Sequence, residues 1–156
     1  MHWLIWLLII LLSLIILYFG VAAFAAVTMT RVGDHPQYED DPGTYGCKFN
    51  KVTLTSKKGH IKLAAWYIPN ENAHQAMILV HGRNASKQNA ISGKLPELGA
   101  ELDKAGYAVL ILDLRAHGES GGKRYTWGAF ERWDVLSAVD FLQNMGFDVG
   151  NIGVLG

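Results

Sequence analysis

The sequence has little cysteine and no excess of charge of either sign, and both features exclude whole classes of protein. Cys47 is the single cysteine, so no intrachain disulfide can form and the fold must rest on a hydrophobic core. The 14 basic and 14 acidic residues give a formal net charge of zero, which offers no electrostatic reason to expect nucleic-acid binding. No internal repeat is visible, and 156 residues are enough for one ordinary domain.

Charged side chains are absent from residues 3–27, the most apolar stretch of the chain. As a helix this stretch would exceed the hydrocarbon core of a bilayer, which is about 30 Å thick. A cleaved signal peptide is the competing interpretation, because Ala23 and Ala25 form a small-x-small cleavage pattern. No Lys or Arg precedes the run, however, and signal cores are shorter. We therefore predict a single-pass membrane anchor over residues 1–27, with 3–27 in contact with lipid and the side of the membrane left open.

Residues 28–47 lack apolar periodicity and contain two prolines, which is typical of a linker. From residue 48 the pattern changes, because apolar residues alternate with polar ones over 49–54 and 61–67. A Lys57-Lys58-Gly59 segment separates the two stretches. This arrangement predicts a β-hairpin with one buried face.

Short apolar runs and helical patterns then alternate along the chain. Continuous apolar runs predict buried strands over 76–80, 107–114 and 151–156. Helices are predicted between them, over 96–106 and 126–145. We therefore predict an α/β fold over 48–156, in which the hairpin is followed by a parallel β-α-β-α-β unit with right-handed crossovers.

The second predicted helix carries an apolar stripe when its residues are placed 100° apart. The stripe contains Val135, Ala138, Val139, Leu142 and Met145, and the opposite face contains Ser137, Asp140 and Asn144. We expect the stripe to be buried and the opposite face to be in solvent.

Residues 118–122 match G-x-S-x-G, the pattern of the turn that holds the nucleophilic serine of many hydrolases. We do not expect Ser120 to be that nucleophile, because such a serine directly follows a strand and opens a helix, whereas the predicted strand ends near Asp113. Folds of this kind also place the histidine after the serine, and no histidine follows His117. Ser120 is predicted to form a turn. Gly156 directly follows a strand and would be the first glycine of a true G-x-S-x-G, with the serine two residues further along.

Metal and nucleotide sites find little support in the pattern. His81, Asp113 and His117 would converge at strand ends, but they lack a fourth ligand and a recognisable spacing. No G-x-G-x-x-G follows a strand, and residues 121–124 lack the upstream glycine and the Ser/Thr of a phosphate loop. We therefore predict no metal and no cofactor.

Four segments resemble a known family when they are taken at their spacing: LVHGRNASK at 79–87, LDLRAHGESGG at 112–122, WGAFERWDVLSAVDFL at 127–142 and IGVLG at 152–156. Together they are similar to the N-terminal half of an α/β-hydrolase domain of the serine-hydrolase type. The resemblance extends to membrane-anchored bacterial members that are esterase-like or serine-aminopeptidase-like. It implies hydrolysis of an ester or amide bond through an acyl-serine intermediate, with a small-molecule ester or peptide as the substrate of the full-length relative.

The family's nucleophile, acid and histidine have no positions in these 156 residues. We therefore expect the chain to be truncated before the nucleophile and inactive as given. The alternative is a membrane-tethered remnant or interaction module without catalysis, because half a sheet would leave an unpaired edge and uncovered apolar faces.

The resemblance also implies roles for the loop after the first parallel strand. The backbone N–H of Arg83, with Asn84 next in line, would point into the oxyanion hole and stabilise the charge that develops during acyl transfer. His81 is expected to pin the loop by hydrogen bonding and not to act as a base. Gly82 would let the backbone approach the substrate closely.

The loop after the next strand lies beside the same cleft. Asp113 and Arg115 are expected to form an ion pair or to brace the loop, because residues two apart on a strand point to the same side. His117 and Gly118 are expected to shape the turn that follows.

Overall fold

The computed structural model describes residues 2–33 and 38–156, and the chain divides into two compact units, Met1–Arg31 and Val32–Gly156. The first unit is the helix α1 (His2–Thr30), in which none of the residues is buried. Its 29 residues and hydropathy of 2.9 make it long and apolar enough to cross a membrane. The Ser13 hydroxyl donates to the Ile9 carbonyl at 2.7 Å, so this polar group is satisfied within the helix.

Two parts of the predicted linker are helical. Its residues 34–37 lie outside the described residues, and α1 continues through 28–30. Pro42–Tyr45 form a short 3-10 helix whose N-terminus is capped by Asp41, because the Asp41 carboxylate accepts from the Gly43 N–H at 2.9 Å.

Five strands form one mixed sheet in the order β1-β2-β4-β3-β5. The strands are β1 (Asn50–Thr55), β2 (Lys62–Ile68), β3 (Ala76–Val80), β4 (Ala108–Leu112) and β5 (Ile152–Leu155). The predicted hairpin is confirmed as β1–β2, and β3 pairs in parallel with both β4 and β5. The sheet as a whole is mixed because β2 joins β4 antiparallel.

Helices cover the two faces of this sheet. They are α2 (Ala90–Gly93), α3 (Leu95–Lys104) and α4 (Glu131–Asn144). All five residues of β4 are buried, and its side chains alternate between two cores. Leu110 packs on the side of Leu142 from α4, and Ile111 packs on the side of Leu95 from α3. Gly99 lets α3 lie close to the sheet, because a Cβ there would be 2.8 Å from the Ile111 side chain.

The prediction for the faces of α4 is partly wrong. Ala138 and Leu142 are buried as expected, but Ser137 is also buried and Met145 is half exposed. The Ser137 hydroxyl donates to the Trp133 carbonyl at 2.7 Å and accepts the Lys57 N–H at 2.9 Å, so its burial leaves no polar atom unsatisfied. A small residue that binds the hairpin turn therefore lies where the periodicity predicts solvent.

Candidate active site

Two polar loops and Gly156 meet where the parallel strands end. His81 follows β3, Asp113 follows β4 and Gly156 follows β5. Because the strands are parallel neighbours, these three residues lie at one edge of the sheet. The ends of β3 and β5 touch: a Cβ added to Gly156 would be 3.1 Å from the carbonyl oxygen of Val80. Only a residue without a side chain fits at this close approach without displacing its neighbour.

His81 holds the loop after β3 to the loop after β4. Its Nε2 accepts the Leu114 N–H at 3.1 Å, and its Nδ1 donates to the Gly82 carbonyl at 2.8 Å. The ring is buried, and burial lowers the pKa of His81 from its usual 6.5. A neutral ring with both nitrogens bonded to backbone has the geometry of a loop brace.

This burial leads to a pH-dependence prediction. The unfolded chain binds a proton at His81 near pH 6.5, whereas the folded chain resists it, so stability is complete above that pH and falls as the pH drops toward the folded pKa. We expect His81→Gln to reduce the pH slope of the unfolding free energy between pH 6.5 and 5.0 by up to about 1.4 kcal/mol per pH unit. Urea denaturation of both proteins across that range measures the slope, and equal slopes would contradict the prediction.

The two candidate oxyanion donors, the backbone N–H groups of Arg83 and Asn84, differ in whether they already have an acceptor within the protein. The Asn84 N–H donates to Nε2 of His117 at 3.3 Å, and Nδ1 of His117 donates to the Arg115 carbonyl at 2.8 Å. In the part of the chain that the structure describes, the Arg83 N–H has no acceptor. Of the two positions, Arg83 is therefore the one whose amide is available to a ligand.

Asp113 is the node that joins the two loops. The residue is fully buried, and its carboxylate accepts the Lys87 N–H at 2.7 Å, the Lys87 ammonium at 2.6 Å and the Glu119 N–H at 3.0 Å. The Gly118 backbone passes so close that a Cβ there would overlap the Asp113 carboxylate. Because residue 87 lies in the loop after β3 and residue 119 in the loop after β4, binding both to one carboxylate fixes the two loops relative to each other.

Lys87 belongs to the candidate site through its contact with Asp113, although the sequence pattern does not single it out. It is 1% exposed, its ammonium also pairs with Glu119, and it lies 5.0 Å from the centre of the Trp66 ring. The hydrogen bond from Lys87 lowers the pKa of Glu119, although partial burial of that carboxyl opposes the effect. A lysine in a polar loop is normally in solvent, so nothing in the sequence distinguishes this one.

Arg115 and Asp113 do not pair with each other. Arg115 reaches α4, where its guanidinium binds both oxygens of the buried Asp134 at 2.6 and 2.9 Å, and it also donates to Ser56 in the hairpin at 2.9 Å. Both residues lie beyond the end of β4, so the alternation of strand side chains does not apply to them. Each forms an ion pair, with Lys87 and Asp134 respectively.

Ser120 is bonded into the scaffold. Its hydroxyl donates to the Asp113 carbonyl at 2.7 Å and accepts the Ala64 N–H from β2 at 2.9 Å. Neither contact activates the hydroxyl oxygen, because both partners are backbone groups and not bases. Among the described residues, no three His, Cys, Asp or Glu side chains converge on a point that suits a metal ion.

A pocket of about 330 Å³ opens beside the ends of β3 and β5. Its lining is almost wholly apolar and includes Leu79, Ala85, Leu95, Leu98 and Leu155, with His81, Gly82 and Gly156 at the strand ends. An apolar cavity next to backbone amides suits a hydrocarbon group attached to a polar reacting centre.

Comparisons with known proteins agree with this geometry. The family model described as serine aminopeptidase, S33, matches residues 71–147. The uncharacterized protein YqkD of Bacillus subtilis is 31% identical over 94 residues, which are 60% of this chain and 29% of that protein.

Solved structures share the arrangement of strands and helices. The esterase Pf2001 of Pyrococcus furiosus is 29% identical, with a TM-score of 0.68 over 79% of this chain and 47% of the esterase. The hypothetical protein PA2218 of Pseudomonas aeruginosa is 23% identical and shares the fold, with a TM-score of 0.62 over 79% of this chain and 40% of that protein. The chain spans less than half the length of each of these relatives. The parallel strand ends, the loops fixed on Asp113 and these similarities together place the folded part of the chain in the α/β-hydrolase superfamily.

Proposed function

We propose that this chain supplies the N-terminal part of a serine hydrolase that cleaves an ester or amide bond. The observation that carries the proposal is the meeting of β5 and β3: Gly156 packs against Val80, beside the loop whose Arg83 N–H has no acceptor in the described chain. A serine in a tight turn after Gly156 would stand next to that amide and to the mouth of the apolar pocket.

The chemistry follows from this placement. The serine oxygen attacks the substrate carbonyl, its proton passes to a base supplied by a later part of the protein, and negative charge develops on the carbonyl oxygen. The Arg83 N–H then donates to that oxygen, and one fixed donor of this kind contributes about 2.7–4 kcal/mol to lowering the barrier. His81, Asp113, Lys87 and His117 act on this step by holding the Arg83 backbone in place. The base returns this proton to the leaving oxygen or nitrogen as the C–O or C–N bond breaks, and the alcohol or amine departs. Water then attacks the acyl-serine, and cleavage of that ester bond releases the acid and restores the serine hydroxyl.

A fluorophosphonate probe tests the proposal. We expect the protein extended past Gly156 by its natural sequence to be labelled on a serine two residues beyond Gly156, and residues 1–156 alone not to be labelled. Alanine at the labelled serine is the matched control and should abolish both labelling and ester hydrolysis. An extended protein that neither reacts with the probe nor hydrolyses esters would refute the proposal.

The proposed location is a membrane, with α1 as an uncleaved N-terminal anchor. The support is the length of α1, its hydropathy and the absence of charged side chains from residues 3–27, and a signal sequence meets the same criteria. Carbonate extraction of cell membranes followed by intact-mass measurement separates the two. The anchor predicts a membrane-retained protein that still contains residues 3–27, whereas a mature N-terminus just after Ala25 would establish a signal peptide.

A second candidate function is a non-catalytic interaction module, favoured by one feature of β5. This strand lies at the end of the sheet order, and its Val154 and Leu155 side chains are 52% and 46% exposed on its two faces. Such an edge can pair with a strand of another chain. Cooperative unfolding of residues 48–156 as a monomer would favour the module, and an aggregating, partly ordered state would favour the hydrolase fragment.

A further inference from the structure

The side chain of Arg83, as distinct from its backbone amide, follows the pocket-lining residue Gly82 and lies against an aromatic ring. It is exposed, and within residues 2–33 and 38–156 no carboxylate lies at ion-pairing distance from it. Its guanidinium carbon lies 4.8 Å above the centre of the Trp127 ring. Stacking on an aromatic face orients a guanidinium while its N–H edges remain free to bind an anion.

Trp127 is held in an unusual conformation that presents its ring to solvent. The residue is 57% exposed, and its φ of +54° lies in the left-handed region that bulky residues rarely adopt. The buried Glu131 carboxylate fixes the turn by accepting the Thr126 N–H and hydroxyl, each at 2.8 Å, and the Gly128 N–H at 2.7 Å. These bonds flank Trp127 on both sides. A strained backbone held by a buried carboxylate is typical of a site where presentation of the side chain matters.

This presentation is coupled to the loop that carries the candidate oxyanion donor. Trp127 packs edge-on against Tyr125 at 5.5 Å, and Tyr125 packs against His117 at 5.5 Å. His117 in turn accepts the Asn84 N–H, next to Arg83. The cation, its aromatic support and the free amide therefore belong to one packed unit.

We infer that Arg83 and Trp127 form a binding subsite for an oxyanionic group, a carboxylate or a phosphate, carried by the substrate beyond its scissile bond. The adjacent Gly82 lines the apolar pocket, so an apolar acyl group and an anionic leaving portion would lie on either side of the reacting carbonyl. The proposed substrate class is thus an anionic ester or amide with a hydrocarbon acyl chain. The guanidinium fork matches the paired oxygens of both anions. The turnover part of this inference rests on the proposed hydrolase function, and the binding part does not.

Binding is tested first on residues 1–156 in neutral detergent, where no catalysis is needed. Monomethyl glutarate and propyl phosphate are the anionic probes, and dimethyl glutarate is the uncharged probe. Each is titrated while NMR follows the indole N–H signal of Trp127, which is assigned with the variant Trp127→Phe. We expect saturable chemical-shift changes with both anionic probes and none with dimethyl glutarate. The anionic probe with the lower Kd identifies the anion that the subsite prefers. Arg83→Gln should weaken binding at least tenfold, and Arg83→Lys less than that.

A matched control is provided by Arg132, whose guanidinium lies 5.4 Å over the ring of Trp133 on α4. Arg132→Gln removes a stacked arginine of the same kind and should leave probe binding unchanged. Equal shifts from charged and uncharged probes, or equal affinity in wild type and Arg83→Gln, would overturn the inference. Far-UV circular dichroism and the melting temperature of each variant confirm that the fold is retained.

Turnover is tested on the protein extended past Gly156. The ratio of kcat/KM for 4-carboxybutyl octanoate to that for 4-carbamoylbutyl octanoate should exceed tenfold and should fall toward one in Arg83→Gln. A ratio near one in the wild type would contradict the subsite even if both esters are cleaved. If the NMR titration succeeds and neither ester is hydrolysed, the subsite stands and the proposed hydrolase function fails.

Discussion

Replacing Arg115 by methionine is expected to lower the free energy of unfolding by about 4–5 kcal/mol. The Asp134 carboxylate is fully buried, and it loses both guanidinium hydrogen bonds, at 2.6 and 2.9 Å. The Ser56 hydroxyl and the Lys58 carbonyl lose a donor at the same time. Because a buried unpaired charge is far less favourable than a solvated one, the loss exceeds that of an ordinary surface ion pair. Urea denaturation of residues 1–156 in detergent measures it.

Lys57→Met is the control for this prediction. Its ammonium pairs with Asp140 at 2.7 Å, but the two side chains are 42% and 46% exposed. Solvent screening limits such a pair to about 0–1 kcal/mol. If Arg115→Met destabilises the protein no more than Lys57→Met does, then Arg115 is not the connection between the hairpin, β4 and α4 that the structure shows.

Replacing Lys87 by methionine is expected to lower the free energy of unfolding by about 3 kcal/mol. This value is smaller than that for Arg115, because the Asp113 carboxylate keeps two N–H donors, those of residues 87 and 119, whereas the Asp134 carboxylate keeps one, that of residue 115. The substitution should also raise the pKa of Glu119, since the hydrogen bond from Lys87 is the main cause of its low value. An NMR pH titration of the Glu119 side chain measures the second effect.

The double variant Lys87→Met with Asp113→Leu shows whether the loss of unfolding free energy in Lys87→Met comes from leaving the buried Asp113 charge without its lysine. Removal of both charges should restore part of the stability, because a buried pair and a packed apolar pair differ little in free energy. Lys104→Met serves as the surface control, since its pair with Glu101 is more than half exposed on both sides. Equal stabilities of Lys87→Met and Lys104→Met would show that the loops are not held by Asp113.

The parts of the fold that the sequence predicts are those with a repeating burial pattern. The alternation around Lys57–Gly59 predicts the hairpin, and the continuous apolar runs predict β3, β4 and β5, because burial on one or both faces of a sheet leaves a direct signature in residue order. The antiparallel joining of β2 to β4 has no such signature. Which strands become neighbours depends on tertiary packing and not on the period within each strand.

The candidate site also contains residues whose position the sequence predicts and residues whose position it does not. The location of His81 and Gly156 at strand ends is predictable from the sequence, since each directly follows an apolar run that forms a strand. The burial of Lys87 and Asp134 is not, because charged residues are normally exposed and only a partner distant in sequence makes their burial favourable. The start of α4 at Glu131, later than the predicted residue 126, has a local cause instead. Thr126 and Gly128 donate to the Glu131 side chain, and the first predicted helical turn is replaced by a loop that this carboxylate holds.

The central proposal is that Gly156 opens the turn of a nucleophilic serine beside the Arg83 N–H. Peptide mass spectrometry of the protein extended past Gly156, after reaction with a fluorophosphonate, tests it most directly. The account predicts one modified serine, two residues beyond Gly156, and no adduct on Ser120. An adduct on Ser120, or a serine labelled in any other part of the extended protein, would contradict the account.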